Sequence, residues 1–303
     1  HSKKLHLALG LGIALFVTPF TLLAREPNTE SSSASVAVGA QYDTTHVYVI
    51  PENFDAFVNS ITAVFGGHAG TRGTYNVLPV PSNTQTQYVW TPLGNLSTFA
   101  FLTPVPYPFG QERTGYLVSD MDKALREARE SGAEVIVDKF KDPIGQDAVI
   151  QWPGGVKMQL YWHNTPPNYD ALVKIPENRV YLSPDTADIF VRDFVRFSHG
   201  KVVSDDPHAD AGEIGRPGQT YRRIRIESGF GKLQVNVTDG HLPYPFGYDI
   251  SGYEVPDINA TLAKVTSSGG KVLSPRYDAK DRSTAVVEFP GGYIAEIHSP
   301  LGH

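Results

Sequence analysis

The string PYPFG occurs twice in this chain, at residues 106–110 and at 243–247, an offset of 137 positions. The same offset aligns all the sequence that follows without a gap, so that Gly115-Tyr116 falls on Gly252-Tyr253. An internal repeat constrains the architecture more than any single motif does, because each copy must form the same supersecondary unit. We interpret PYPFG itself as a stiff connector before a strand rather than as a site.

The front parts of the two copies align at an offset of 133, which places HVYVIPENFDAFV (46–58) on RVYLSPDTADIFV (179–191). The step from 133 to 137 requires four additional residues in the second copy. We place them in DDPHADAGEIGRPG (205–218), whose composition predicts a loop. Its aspartates and histidine are better explained by a solvated acidic loop than by a metal site.

Each copy repeats one local pattern twice. An alternating strand such as HVYVI precedes an amphipathic helix that ends in Gly-Gly or Ser-Gly, and three short strands follow. The predicted fold class is therefore α+β, with four βαβββ units that form two tandem domains with curved mixed sheets. We place the first domain at 42–166 and the second at 175–301.

The residues before Tyr42 have a different character. Lys3 and Lys4 precede the apolar stretch LALGLGIALFVTPFTLLA (7–24), the pattern of a signal peptide. We predict a signal peptide at 1–24, a flexible linker at 25–41, and export to the periplasm or the medium. An uncleaved anchor is the competing interpretation; after cleavage no stable membrane insertion is expected.

Composition excludes several kinds of site. The formal net charge is −6 and there is no long basic run, which argues against nucleic acid as a partner. The chain has no cysteine, so a thiolate nucleophile and a cysteine zinc site are both excluded. The sequence contains no Ser-His-Asp triad pattern, no phosphate-binding loop motif and no HExxH motif.

Three stretches resemble the vicinal oxygen chelate superfamily, which includes glyoxalase I, bleomycin-resistance proteins and extradiol dioxygenases. They are HVYVIPENFDAFVNSITAVFGG, the pair GYLVSDMDKALREARESGA and GYEVPDINATLAKVTSSGG, and the closing strand FPGGYIAEIHSP. The resemblance covers about residues 44–300, and four units in one chain resemble the two-domain dioxygenases. It implies two glyoxalase/bleomycin-resistance-like domains, each with a cavity that can hold a divalent metal.

In that superfamily the metal ligands come from the first, fifth and eighth strands of a domain. The matching positions are His46, Arg113 and Gln159 in the first copy, and Arg179, Ile250 and Glu296 in the second. Neither set is complete, because a charged arginine cannot ligate a metal. The candidate metal ligands are thus His46, Gln159 and Glu296 for Mn, Fe, Ni or Zn, with no metal as the open alternative.

Strand alternation adds candidates that share a face with these positions. The candidate catalytic residues are Glu296 and His46. The candidate substrate-binding residues are Tyr48, Arg179, Tyr181, Gln234, Asn236, Glu254 and His298. Phe99 and Phe101 make the first cavity wall apolar, so the second cavity is expected to be the more polar one, with Arg179 paired to Glu296 or Glu254. Structural roles for His46, Glu296 and His298 remain open.

Three functions follow from this resemblance. The first is an exported metal-assisted lyase or isomerase acting on a small oxygenated substrate, since the incomplete ligand sets make extradiol ring cleavage unlikely. The second is a metal-free protein that binds and sequesters a small molecule. The third is a structural envelope protein. A small molecule is the expected partner, and both a monomer and a homodimer are compatible with two fused domains.

Overall fold

Each half of the chain folds as two βαβββ units, as the repeat predicts. The computed structural model describes residues 34–77, 80–105 and 114–301. The first half contains β1 (Thr44–Tyr48), α1 (Phe54–Phe65), β2 (His68–Ala69), β3 (Gly73–Val77), β4 (Ser82–Thr91), β5 (Gly94–Phe101), β6 (Thr114–Leu117), α2 (Met121–Glu130), β7 (Glu134–Lys141), β8 (Gly145–Gln151) and β9 (Lys157–His163).

The second half repeats this order, except that one edge strand takes the place of β2 and β3. It contains β10 (Glu177–Leu182), α3 (Ala187–Ser198), β11 (Lys201–Asp210), β12 (Thr220–Ser228), β13 (Gly231–Val237), β14 (Asp249–Glu254), α4 (Ile258–Ser267), β15 (Lys271–Asp278), β16 (Arg282–Phe289) and β17 (Tyr293–Pro300).

The two halves form two mixed sheets with the same strand order. The first runs β2-β4-β5-β1-β6-β9-β8-β7, with β3 paired to β4, and the second runs β11-β12-β13-β10-β14-β17-β16-β15. The first strand of each unit lies parallel to its last strand, and antiparallel pairing of β1 with β6 and of β10 with β14 joins the units. The α+β class and the tandem arrangement are confirmed.

The residues that repeat in sequence perform the same local task twice. Asp120 caps α2 by accepting a hydrogen bond from the backbone N–H of Lys123, and Asp257 caps α4 in the same way, both at 2.9 Å. An acidic N-cap satisfies an otherwise unpaired N–H of the first turn. After each helix the repeated Ser-Gly ends it, with φ of +103° at Gly132 and +94° at Gly269.

The hydrophobic core lies between the halves rather than within each of them. In one cluster Trp152 packs against α3, with its ring centroid 5.4 Å from that of Phe197. In the other, α1 packs against the second sheet, with Phe57 and Tyr293 centroids 5.7 Å apart. The first unit is therefore completed by the fourth, and the second by the third. The chain from Ala34 onward forms one compact unit.

The segment before β1 is part of this core. Val36 is fully buried, and its carbonyl accepts a hydrogen bond from the backbone N–H of Ser119 at 2.9 Å. The predicted flexible linker at 25–41 differs from the structure here, because residues 35–38 are held against the end of β6. The signal peptide predicted at 1–24 lies outside the described residues, as do Arg113 and the first PYPFG. Within the described ranges no helix is long and apolar enough to cross a membrane.

The predicted loop at 205–218 is wrong over its first part, since residues 205–210 belong to β11. This strand lies at the edge of the second sheet and has two register irregularities, one of them around Pro207. Edge strands tolerate charge, proline and bulges because one row of their backbone groups faces outward. The polar composition therefore marks an edge strand, and Asp205 pairs there with Arg222 at 2.7 Å.

The Pro-Gly-Gly turns of each half reach into the other half. A Cβ on Gly291 would lie 2.8 Å from Val49, and one on Gly154 would lie 2.6 Å from Leu182, the equivalent residue at the offset of 133. Gly291 and Gly292 both have positive φ, of +91° and +95°, but a Cβ on Gly292 would meet nothing within 4 Å. Substitution of Gly292 therefore introduces backbone strain alone, whereas substitution of Gly291 introduces the same strain and a clash with the other half.

We expect Gly292→Ala to lower the free energy of unfolding by about 1 kcal/mol through its positive φ alone. Gly291→Ala should cost about 1–3 kcal/mol more, because its methyl group must also displace Val49. Urea unfolding of both variants measures the difference. Equal costs would show that the turn makes no tight contact with the other half.

Candidate functional site

The faces of the two sheets that point away from the helices carry the candidate sites. Along β1, Val47 lies in the core while His46 and Tyr48 point to the opposite face. Along β10, Val180 lies in the core while Arg179 and Tyr181 point the other way. Strand alternation thus divides core from site in both halves, as the sequence predicts.

The first sheet holds a cavity of about 510 Å³. Aromatic rings dominate its lining. The first unit contributes Tyr48, Tyr75, Tyr88, Phe99 and Phe101, and the rest of the half contributes Phe140, Tyr161 and Tyr169. The Tyr48 ring stacks on those of Phe99 and Phe101, with centroids 5.4 and 6.1 Å apart. Ligand cavities in proteins commonly measure about 300–1,000 Å³ and are mostly apolar, so this cavity can accept a small molecule.

A hydroxyl network lines one end of this cavity. Thr44 Oγ1 lies 3.0 Å from the Tyr88 hydroxyl and 3.2 Å from the Tyr161 hydroxyl. The Tyr161 hydroxyl also donates to the carbonyl of Tyr42. Burial raises the pKa of both Tyr88 and Tyr161, so the two phenols stay neutral at physiological pH. The network offers neutral hydrogen-bonding groups and holds the two rings in place.

His46 and Gln159 line the same cavity on either side of Gly115. A Cβ on Gly115 would lie 2.9 Å from His46 Nε2, so only glycine leaves room for the imidazole. His46 packs edge-on against Phe99 at 5.8 Å. These two residues would supply one imidazole and one amide to a divalent metal, without a carboxylate from the same strands. Within the described ranges no group of three or more His, Asp or Glu side chains is placed to hold an ion.

The equivalent place in the second sheet contains a buried ion-pair cluster. Arg179 Nη2 lies 3.0 Å from Glu296 Oε2 and 2.9 Å from Glu177 Oε1. Arg282 adds a second guanidinium to Glu177 at 3.1 Å. Thr284 donates to Glu296 Oε1 at 2.6 Å, and His298 Nδ1 lies 2.8 Å from Oε2. Arg179 thus takes the place of a metal ion, and the carboxylate predicted as a ligand is its counterion.

The electrostatics of this cluster follow from its burial and its charges. Burial alone raises the pKa of Glu177, but the guanidiniums of Arg179 and Arg282 outweigh it and lower the pKa to about 2. For Glu296, burial again acts upward, while Arg179 and His298 bring its pKa below the usual range. Burial raises the pKa of Tyr181 to about 12. Both carboxylates are therefore ionised in the folded protein, and the phenol is neutral.

Larger side chains close the second cavity to about 10 Å³, room for about one water molecule. Ser97 faces His46 in the first sheet, whereas Gln234 occupies the same register position beside Arg179. In the neighbouring row, Thr86 lies opposite Phe99 in the first sheet, whereas Arg223 lies opposite Asn236 in the second. The Tyr244 hydroxyl, from the second PYPFG, lies 3.2 Å from that of Tyr181 and adds to the filling.

The structure therefore divides the predicted site residues into two groups. His46, Tyr48 and Gln159 line the open cavity. Arg179, Tyr181, Gln234, Asn236 and Glu296 line the closed one, with His298 behind Glu296. Glu254 is in neither lining; it pairs with Lys174 at 2.6 Å. The candidate metal ligands His46 and Gln159 lie in the first sheet and Glu296 in the second, so the two incomplete sets stay apart, as the repeat predicts.

Sequence reasoning missed several residues of the open cavity. Asp147 and Phe140 lie on β8 and β7, and alternation from Tyr161 across the sheet could have found them. Tyr169 lies in the connector between the halves, where no strand or helix period exists to predict its direction. Its ring lies 6.2 Å from that of Tyr88.

Solved structures show which fold this arrangement matches. A mutant of 4-hydroxymandelate synthase from Streptomyces coelicolor has a TM-score of 0.58 at 13% identity, over 88% of this chain and 94% of the other. The 2,2',3-trihydroxybiphenyl 1,2-dioxygenase of Sphingomonas wittichii strain RW1 has 0.55 at 10% identity, over 88% and 91%. The chain has the fold of the vicinal oxygen chelate superfamily. The predicted resemblance is thus confirmed for the fold.

A third similar structure is the Mn(II)-bound glyoxalase from Novosphingobium aromaticivorans, with a TM-score of 0.53 at 12% identity over 89% of this chain and 84% of the other. No protein-family profile matches the chain, and no curated protein matches it in sequence. At these identities the likeness carries the fold and not the activity. The superfamily's metal positions must therefore be judged on the residues of this chain, and among those that the structure describes neither sheet provides a fitting set.

Arg179→Met tests the ion-pair cluster. We expect it to lower the free energy of unfolding at pH 7 by about 3–5 kcal/mol, because buried Glu296 loses its guanidinium partner and Glu177 keeps only Arg282. Arg179→Lys is the matched control, and it should retain part of the stability because it keeps a positive charge. Urea unfolding measures both, and a cost below about 1 kcal/mol for the methionine variant would contradict the assignment.

The same variant should reverse the pH dependence of the cluster's contribution. In the natural protein the lowered carboxylate pKa values stabilise the fold above an unfolded pKa of about 4.3, and that stability is lost as the pH falls towards 2. Without Arg179, burial dominates and raises the pKa of Glu296. The destabilisation should then shrink between pH 7 and pH 4.5. Unfolding at several pH values measures this, and a constant penalty would contradict it.

Proposed function

We propose that this protein binds a small, ring-bearing molecule in the cavity of the first sheet, without a metal, while the second sheet serves as structural support. One observation carries the proposal. The two sheets have the same topology, but the cavity of the first measures about 510 Å³ and the equivalent cavity of the second about 10 Å³. The large cavity is lined by stacked aromatic rings and neutral hydroxyls, and the small one by neutralised charges. Binding is thus assigned to the less polar half, a choice that the sequence alone leaves open.

A metal-assisted lyase or isomerase is the second candidate. It is favoured by one observation, that His46 and Gln159 face the same cavity across Gly115. Two uncharged ligands bind a divalent cation far more weakly than a set that includes carboxylates, so the residues support binding better than metal chemistry. We also propose export, and this rests on the pattern of residues 1–24 alone.

Substitutions at Ser97 test whether the ligand binds in the open cavity of the first sheet. Ser97→Trp should abolish ligand binding, because the indole would occupy the space beside His46 that Gln234 fills in the other half. Ser97→Ala is the matched control and should leave binding within about twofold, since it removes one hydroxyl and no wall. A fluorescence-quenching screen of small aromatic compounds against both variants measures this. Binding retained by the tryptophan variant would place the ligand elsewhere.

Metal titration separates the two candidate functions. Calorimetry with Mn²⁺, Ni²⁺, Zn²⁺ and anaerobic Fe²⁺ should detect no stoichiometric binding that depends on His46, and a chelator should leave ligand affinity unchanged. His46→Ala provides the comparison. Stoichiometric binding that this variant loses would favour the lyase or isomerase.

A further inference from the structure

We infer that the second sheet contains a site for a small carboxylate, and that the chain fills this site with the carboxylate of its own Glu213. A short 3-10 helix, Ala211–Ile214, holds Glu213 and connects β11 to β12. Such a site goes beyond the proposed function, which concerns the cavity of the first sheet. With Glu213 in place the site is closed, and in that state the second half is structural support.

The 3-10 helix is fastened to both edge strands of the second sheet. It lies within the stretch in which the repeat places the four additional residues of the second copy. It follows Asp210, the last residue of β11, whose Oδ2 accepts a hydrogen bond from the Tyr277 hydroxyl of β15 at 2.6 Å. A Cβ on Gly212 would lie 2.1 Å from the Tyr277 ring, so the helix is in close contact with β15. Because β11 and β15 are the two outermost strands, the helix spans from one edge of the sheet to the other.

Glu213 extends from this helix into the closed cavity, which it lines together with Ile214. One carboxylate oxygen of Glu213 accepts from Arg223 Nη1, and the other accepts from the Tyr221 hydroxyl at 3.0 Å. Tyr221 and Arg223 are two residues apart on β12 and so share a face. Burial raises the pKa of Tyr221, so its phenol is neutral at physiological pH and donates this hydrogen bond. The strand thus supplies both donors, and the helix supplies the anion.

The two donors belong to the strand and would remain in place if the helix moved. Only 9% of Arg223 is exposed, and its Nε has no hydrogen-bond partner among the described residues. A guanidinium in this position needs an anion, because a buried charge that loses its partner is uncompensated. Glu296, the other carboxylate of the described lining, is already paired with Arg179 at 3.0 Å. An external carboxylate would therefore take over the contacts of Glu213 with Arg223 and Tyr221.

A neighbouring cavity of about 190 Å³ gives access to this place. Ile214 lines both cavities, and Tyr221 lines the neighbouring one while its hydroxyl bonds Glu213. The wall also includes Ala211 and Val237, so part of it is apolar. Sites for drug-sized ligands measure about 300–1,000 Å³, so the ligand here is smaller, a short aliphatic carboxylate. It enters past Ile214 when the helix moves aside.

Acetate tests the site, because Glu213→Ala removes one CH₂ group and the carboxylate, the size of an acetate ion. At pH 7, sodium acetate at about 100 mM should raise the thermal unfolding midpoint of this variant by about 2–4 °C above its value in equal sodium chloride. Neutral acetamide should not raise it. The natural protein and Glu213→Gln, in which a side chain still fills the site, should shift by less than about 1 °C. The lack of an acetate-specific shift in Glu213→Ala would overturn the inference and leave the function proposed for the first sheet intact.

A second substitution locates the bound acetate. In Glu213→Ala combined with Arg223→Met the acetate shift should disappear, because the guanidinium that holds the anion is gone. Glu213→Ala combined with Arg222→Met is the matched control and should keep the shift. Arg222 lies on the opposite face of β12, where it pairs with Asp188 and Asp205. A shift that persists without Arg223, or that is lost without Arg222, would place the anion elsewhere and overturn the inference.

Tyr277→Phe tests the displacement of Glu213 itself, and it remains measurable if Glu213→Ala does not fold. It removes only the hydroxyl that bonds Asp210, so the 3-10 helix should open more often. The backbone N–H of Arg216 donates to the carbonyl of Ala211 at 2.8 Å, and its hydrogen exchange reports this opening. Acetate should speed that exchange at least about threefold relative to chloride, because acetate binds only the open form. Exchange that is unchanged or slower in acetate would contradict the displacement and overturn the inference.

Discussion

The architecture depends on the burial of one half's helices against the other half. α1 packs with α4, and α2 and α3 bury side chains in one shared cluster, so two hydrophobic clusters run between the sheets. Burial of apolar area is the dominant favourable term in folding, and here neither sheet can achieve it alone. The helix-covered faces are thereby committed to stability, and the opposite faces are left to change. A cavity and an ion-pair cluster can therefore occupy equivalent places in one protein.

Much of the fold is predictable from the sequence because the repeat encodes it twice. Asp120 and Asp257 mark helix starts, Ser131-Gly132 and Ser268-Gly269 mark helix ends, and the offset joins them into equal units. The end of β11 was not predicted as a strand, because its charged residues and Pro207 have the composition of a loop. That composition is compatible with a strand here because β11 lies at the edge of the sheet.

The site is less predictable, because its state depends on residues far apart in the sequence. Arg179 is held by Glu177 on its own strand but also by Glu296, and Arg282 from β16 supports Glu177. The size of each cavity then depends on side-chain volume at equivalent positions, serine at Ser97 and glutamine at Gln234. Strand alternation predicts that both residues face the cavity, but it does not predict how much space remains. Tyr169 has no periodic context at all. Ligand positions carried over from a superfamily locate the site but not its chemistry.

The Pro-Gly-Gly turns have a consequence for how such a chain can diverge. Because Gly291 seats against Val49 and Gly154 against Leu182, each half supplies part of the surface on which the other is assembled. A recombination event that exchanged a single half would have to preserve both of these contacts. Substitutions on the sheet faces that point away from the helices do not affect them. Selection for assembly and selection for ligand therefore act on separate residues, so the second half can give up its cavity and still be retained.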